Sequence, residues 1–170
     1  MGVKVLLSEA EFLELPEKPG KQELIQGQLI ELPPAKHSHD ELGNRNAELL
    51  RTVLPSSRVW VETAYRLSSQ SWLLPDVSVS WPDQRIEDDW KQGAPMLAIE
   101  IASRGNTPEE LERKRLLYLA HGAAEVWIIY PKTRTMLVSR RDGSQHIAAD
   151  ADYYCDLLGI TVTPAYRTPV

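Results

Sequence analysis

The feature that most constrains the fold of this chain is a strand–helix–strand succession in its second half. Within residues 95–130, the apolar stretches PMLAIEIAS and AEVWIIY have the length of buried strands, and a helix signal separates them. Thr107 is placed as an N-cap, Pro108 stands at the first helical position, Glu110 completes a capping box, and Gly122 provides the stop. Strands joined through a helix pair in parallel within one sheet. The succession therefore predicts an α/β fold.

The first third of the chain predicts two helices around a hairpin. Ser8 and Glu11 form a capping box that opens a short helix. The stretch ELIQGQLIEL is typical of two short strands that reverse near Gln26 and Gly27. An apolar periodicity then favours a second helix over about residues 40–54.

The middle and the end of the chain predict further antiparallel pairs. RVWVETAYRL and WLLPDVSVSW are separated by SSQS, which indicates an antiparallel pair, and the polar stretch PDQRIEDDWKQGA that follows is expected to be a loop. TMLVSRRDGSQHIAA predicts a hairpin that turns at Asp142 and Gly143. At 170 residues the chain is expected to form one domain with a mixed central sheet flanked by helices.

Composition excludes several classes of protein. A net charge of −5 argues against a protein that grips nucleic acid by bulk electrostatics, although an enzyme whose acidic residues hold metal ions stays possible. The single cysteine, Cys155, excludes an intrachain disulfide framework and a cysteine-rich zinc site. Because no apolar run is long enough to span a bilayer, we expect no membrane association. The single cysteine makes a reducing cytoplasm the expected location.

Two carboxylates stand in apolar stretches of strand length. Asp76 follows Pro75 in SWLLPDVSVS, and Glu100 lies in PMLAIEIASRG. Burying an ionised carboxylate without a partner is very costly. If the two strands are neighbours, both carboxylates converge at one end of the sheet, where Mg²⁺ would be a fitting counter-ion. The alternatives are an Asp76 that caps a nearby turn, and a Glu100 in a buried salt bridge to Lys114 or an arginine.

The helix of the strand–helix–strand succession carries a candidate cation. Leu111, Lys114, Tyr118 and His121 lie along one stripe, so that Lys114 would be held over the strand of Glu100 if this stripe faces the sheet. A lysine fixed beside metal-bound oxygens can orient or deprotonate an attacking water. Without such a placement, a helix lysine is usually solvated.

An ordered set of motifs runs through nearly the whole chain: ELIQGQLIELPP, LLPDVSV, PMLAIEIAS and ELERKRLLYLAHGAAEVWIIYP. This set, over roughly residues 10–165, resembles the Uma2 family, formerly a domain of unknown function, within the PD-(D/E)XK nuclease-like superfamily. The resemblance implies a restriction-endonuclease-like fold. It also implies that Asp76 and Glu100 bind Mg²⁺ or Mn²⁺. The usual superfamily lysine would fall at Ala102, and Uma2-like sequences carry it on the following helix, which corresponds to Lys114.

The resemblance implies further site residues. Glu23 matches an acidic residue near the same site, where it would be an extra metal or water ligand. A family histidine is matched approximately by His39, although His37 lies only two residues earlier. Tyr118 is expected to pack in the core with its hydroxyl near the site.

Taken together, the sequence predicts a metal-dependent endonuclease that hydrolyses phosphodiester bonds, with DNA as the expected substrate. Asp76, Glu100 and Glu23 are the expected metal ligands, and Lys114 the residue that activates or positions water. The alternative is a catalytically silent nuclease-fold protein that acts as an interaction or regulatory module. A homodimer is expected, from apolar strands and the C-terminal stretch DLLGITVTPAY and because such enzymes often pair to address two strands.

Overall fold

A computed structural model of the chain describes residues 5–162. The helices are α1 (Glu9–Leu13), α2 (His37–Arg51) and α3 (Pro108–Ala120), with a 3-10 turn at Ser56–Arg58. The strands are β1 (Lys21–Ile25), β2 (Gln28–Leu32), β3 (Val59–Val61), β4 (Tyr65–Ser68), β5 (Ser71–Leu73), β6 (Val77–Val79), β7 (Ile86–Glu87), β8 (Trp90–Gln92), β9 (Leu97–Ile101), β10 (Glu125–Tyr130), β11 (Thr135–Arg140), β12 (Gly143–Ile147), β13 (Tyr153–Cys155) and β14 (Ile160–Val162).

The strands form two mixed six-stranded sheets and a two-stranded ribbon. The first sheet has the order β2-β1-β5-β4-β8-β7, the second the order β12-β11-β10-β9-β6-β3, and β13 pairs with β14. As predicted, β9 and β10 are parallel and joined through α3, with Glu100 opposite Ile128. The predicted α/β class is confirmed.

The predicted antiparallel pair in the middle of the chain crosses from one sheet to the other, which is why there are two sheets rather than one. β4 pairs with β5 in the first sheet, and β3 pairs with β6 in the second. The break falls at Glu62, whose φ of 47° is left-handed, and at Pro75, which has no N–H for a ladder. Asp76 lies in this break, directly before β6.

The second sheet is buried on both faces. One face packs against α2 and the β13–β14 ribbon, in a core cluster that includes Leu50, Val77 and Trp127. The other face packs against α3 and the first sheet, in a cluster that includes Tyr65, Ala98 and Tyr118. Polar groups on this second face lie between two layers and need partners inside the protein.

Most predicted element ends agree with the structure, but α2 ends at Arg51 rather than near residue 54, and two further differences concern its start and the residues 82–94. α1 and α3 both carry the predicted capping boxes. α2 begins at His37 rather than near residue 40, because its N-cap, Lys36, makes no side-chain cap and so left no sequence signal. The expected loop over residues 82–94 contains the hairpin of β7 and β8, which turns at Asp88 and Asp89 with φ of 49° and 66°.

The C-terminal stretch that suggested a homodimer packs on the protein's own core as far as the structure describes it. Leu157, Leu158 and Ile160 contact the cluster that contains Trp127, and Val162 is buried. Residues 163–166 lie outside the described residues. No helix within residues 5–162 is long and apolar enough to cross a membrane.

Candidate active site

A cleft of about 580 Å³ opens between the two sheets and the start of α2. Its lining includes the ionisable side chains of Lys21, His39, Asp76 and Glu100. Three of these four are at least nine-tenths buried, and His39 is half-buried. The predicted convergence of Asp76 and Glu100 is present in this cleft.

Strand alternation positions the charged groups of β1 and β9. Lys21 and Glu23 are two residues apart on β1, so both project to the same face of the first sheet. On β9, Ile99 and Ile101 point into the α2 cluster, which turns Glu100 to the opposite face, towards α3. The two sheets thereby bring groups far apart in sequence into one cluster.

Asp76 is held through both carboxylate oxygens. Its Oδ1 accepts from the ammonium of Lys21, and its Oδ2 accepts from the backbone N–H of Ile101 at 2.6 Å. The Nε2 of His39 lies 3.4 Å from Oδ2. Burial alone would raise the pKa of Asp76, but the hydrogen bond from His39 and the charge of Lys21 lower that pKa well below its usual value. Asp76 is therefore ionised at neutral pH.

Glu100, Glu23 and Lys114 form a buried triad behind Asp76. The Nζ of Lys114 lies 2.7 Å from Oε1 of Glu100 and 2.8 Å and 3.0 Å from the two carboxylate oxygens of Glu23. Tyr118 donates its hydroxyl to Glu100 Oε1 at 2.8 Å, and the N–H of Leu74 donates to Glu23 Oε1 at 2.7 Å. The stripe predicted on α3 therefore does face the sheet.

The environment of the triad shifts its proton affinities. Burial raises the pKa of Glu100 to about 7, against the lowering effect of Lys114 and with a further contribution from the charge of Asp76. Burial would lower the pKa of Lys114, but Glu100 and Glu23 outweigh it and raise that pKa above its ordinary value. Lys114 therefore stays charged, and Glu100 can exchange a proton near neutral pH.

The structure brings most of the sequence-predicted residues together. Glu23 is a member of the triad, Tyr118 donates to Glu100, and His39 reaches Asp76. His37 is exposed at the first position of α2 and does not line the cleft, so His39 is the histidine of the site. Lys114 does not line the cleft either, because it is only 1% exposed and lies behind the two glutamates.

Two charged residues of the site are absent from the sequence-based prediction. Lys21 contacts Asp76, and its Nζ also lies 3.3 Å from Oε1 of Glu62. The signal that could have found Lys21 is its spacing of two from Glu23 in a strand, which places both on one face. Glu62 left no signal, because it stands in a short link between two strands.

The cleft offers few protein ligands for a metal, so a hard divalent ion bound there would keep several water ligands. No group of three or more His, Cys, Asp or Glu side chains able to hold a metal occurs among the described residues. Mg²⁺ characteristically uses one or two carboxylates and keeps several waters, which Asp76 and Glu100 match. Among residues 5–162, the side-chain contacts of Glu100 with Lys114 and Tyr118 are both made by its Oε1.

Comparison with known proteins gives one family and a similar solved structure. Residues 9–153 match the model of the Uma2 family, described as "Putative restriction endonuclease". A crystal structure described as a "putative nuclease belonging to DUF820", from Anabaena variabilis ATCC 29413, is 23% identical with a TM-score of 0.78. The alignment covers 90% of this chain and 91% of that one, and at this identity it shows a shared fold. Comparison with curated proteins finds no match.

Proposed function

Since this chain belongs to the Uma2 family, we propose that it is a metal-dependent endonuclease that hydrolyses phosphodiester bonds in DNA. The observation that carries the proposal is the pair of buried carboxylates, Asp76 and Glu100, in a cleft that is open to solvent. Two acidic side chains are costly to bury together, and such pairs occur where a cation or a reaction needs them.

Asp76 and Glu100 are the residues that would hold a divalent ion, with Glu23 behind them. When bound, such an ion acts as a Lewis acid on the phosphate and lowers the pKa of a water molecule. Lys114 holds Glu100 and Glu23 in place, and we assign it a positioning role that acts on the attacking water through these carboxylates. The sequence predicted that Lys114 contacts the attacking water directly, but Glu23 and Glu100 lie between its ammonium and the cleft.

Hydrolysis joins the oxygen of water to phosphorus and breaks the bond to one ester oxygen. The attacking water must lose a proton, and the leaving oxygen must gain one. Asp76 and Glu100 would hold the ion as carboxylates, so solvent in the open cleft would take up the proton of the attacking water. The pKa of His39 is raised, chiefly by its hydrogen bond to Asp76, so that His39 suits proton donation to the leaving oxygen.

The rim of the cleft supports a polyanionic substrate. Lys36, Arg104 and Lys132 line the cleft and are exposed, so their charges face the solvent around it. Lysine and arginine contacts to phosphates supply most of the non-specific affinity for nucleic acid. Asp40 and Glu62 are exposed in the same lining, so the rim carries one excess positive charge while the chain as a whole has a net charge of −5.

One observation favours a second candidate function, a catalytically silent interaction module of the same fold. The Lys21 ammonium already contacts Asp76, and Lys114 already pairs with both Glu23 and Glu100. Such a cluster can serve stability alone, since buried ion pairs can be structural. A homodimer and a cytoplasmic location stay predictions, and sedimentation of the purified protein tests the first.

The test combines metal titration with cleavage of supercoiled plasmid. We expect Mn²⁺ and Mg²⁺ to bind the wild type and to support nicking. Asp76→Asn and Glu100→Gln should each lower cleavage by more than the about 10–100-fold typical of an outer-shell partner. Glu109→Gln, an exposed glutamate on α3, is the matched control and should cleave like the wild type. A folded wild type that binds neither ion and leaves DNA intact would instead support the silent module.

A further inference from the structure

Lys21 is the buried cation that faces the cleft. The other lysine and arginine side chains in the lining, Lys36, Arg104 and Lys132, are exposed on the rim. Lys114 is buried and does not line the cleft, and its ammonium is paired with Glu23 and Glu100. A cation that stabilises charge on a reacting phosphate must be able to touch it. Among these residues, Lys21 alone combines a fixed position beside Asp76 with access to the cleft.

The ammonium of Lys21 sits in a cage of three oxygens. It contacts Oδ1 of Asp76, and it lies 3.3 Å from both the carbonyl oxygen of Leu74 and Oε1 of Glu62. Glu62 reaches this position from a left-handed backbone with φ of 47°, a conformation that residues other than glycine seldom adopt. Strain of this kind concentrates at functional sites. Carboxylate and carbonyl oxygens are also the donors that hard divalent ions use.

A divalent ion held by Asp76 would therefore compete with Lys21 for the oxygens of that carboxylate. Two positive charges within a few ångströms repel strongly when the surroundings are partly buried. A lysine side chain has four rotatable methylene groups, so its ammonium can move several ångströms while the backbone of β1 stays fixed. The cleft borders Lys21 and leaves room for that movement.

We propose that Lys21 is a catalytic residue of this site: it leaves Asp76 Oδ1 to a divalent ion and donates instead to a non-bridging oxygen of the phosphodiester. The inference rests on the proposed endonuclease function. It assigns the contact with the phosphate to Lys21 on β1 rather than to Lys114 on α3. Glu62 keeps a carboxylate near the moved ammonium, which limits its movement to the cleft.

The first test measures Mn²⁺ affinity by calorimetry, without any substrate. Lys21→Gln removes the competing charge and keeps a donor of similar length, so we expect Mn²⁺ to bind about tenfold more tightly or better. The same variant, saturated with Mn²⁺, should cleave plasmid at least about 100-fold more slowly than the wild type. A purely structural Lys21 would not tighten metal binding when removed. Lys18→Gln, an exposed lysine outside the cleft, is the matched control.

The second test uses the wild type and is independent of how the variant folds. Acetylation with an N-hydroxysuccinimide ester, read by mass spectrometry, reports the exposure of each lysine. We expect saturating Mn²⁺ to raise the labelling rate of Lys21 while Lys114, which is held by two glutamates, stays protected. A parallel rise at Lys114 would indicate general loosening and would contradict the proposal.

The outcomes separate this inference from the function on which it rests. Equal Mn²⁺ affinity of the wild type and Lys21→Gln, with Lys21 protected from acetylation in both conditions, overturns the role of Lys21 and leaves the metal site intact. Absence of Mn²⁺ binding to both proteins overturns the metal-dependent function and the inference with it.

Discussion

Replacing Lys114 by methionine tests how the buried carboxylates are stabilised. The substitution keeps an unbranched side chain that is shorter by one atom. It removes the charge that contacts both Glu23 and Glu100, at 2.7–3.0 Å in a site where Lys114 is 1% exposed. Removing one partner from a buried ion pair typically costs about 3–5 kcal/mol, because the remaining charge stays buried without compensation. We expect the free energy of unfolding of Lys114→Met to fall by about that amount at neutral pH.

Urea denaturation followed by circular dichroism measures the loss. With a slope of about 2 kcal/mol per molar urea, the unfolding midpoint should fall by about 1.5–2.5 M. The deficit should grow as the pH is raised from 7 to 9. Lys114 lowers the pKa of Glu100, so without Lys114 that pKa lies above 7, and the uncompensated charge of Glu100 appears only as the pH rises past it.

Two controls make the result interpretable. Lys18→Met removes an exposed lysine that pairs with Glu31 at the surface, and it should change stability by less than about 1 kcal/mol. Adding Glu23→Gln and Glu100→Gln to Lys114→Met neutralises the whole triad and should restore most of the lost stability. A single Lys114→Met variant within about 1 kcal/mol of the wild type, or a deficit that persists in the neutral triad, would refute this reasoning.

Three further predictions concern single groups. The pKa of Glu100 is about 7 in the folded protein and 4.5 in the unfolded chain. Glu100 therefore contributes stability below pH 4.5, and this stability is lost as the pH rises to 7. Glu100→Gln should remove this loss, on the order of 3 kcal/mol, in thermal melts across that range. Asp76→Asn should lower the pKa of His39 towards 6.5, as followed by NMR titration of its ring protons, because the hydrogen bond to Asp76 raises that pKa; an unchanged pKa would contradict the contact. Arg134→Gly should raise the unfolding free energy by about 0.5–1 kcal/mol in denaturant titrations, because Arg134 holds a φ of 57°; a loss of stability would show that its side chain matters more than its backbone.

The parts of the fold that were predictable rest on local signals. The caps of α3 and the apolar strands on either side of it are each formed by residues close together in the sequence. The parallel pairing of β9 and β10 was therefore predictable from them. The side-chain stripe of α3 was predictable from helical periodicity, and Lys114 and Tyr118 do face the sheet. The resemblance to the Uma2 family is confirmed by the match over residues 9–153.

The parts that were not predictable depend on the arrangement of the two sheets. The division of the middle strands between sheets is a tertiary event at Glu62 and Pro75, and it decides which carboxylates meet. Lys21 becomes a partner of Asp76 only when β1 of the first sheet lies against the link before β6 of the second. For the same reason, the burial of Lys114 behind Glu23 was not visible in the periodicity of α3.

The most direct test of the central claim, that Asp76 and Glu100 hold a divalent ion in the cleft, is an anomalous difference map from crystals soaked in Mn²⁺. The account predicts a peak in contact with both carboxylates, with the Lys21 ammonium moved away from Asp76. A protein that binds Mn²⁺ in solution but shows its peak elsewhere, with the contact between Lys21 and Asp76 intact, would contradict it.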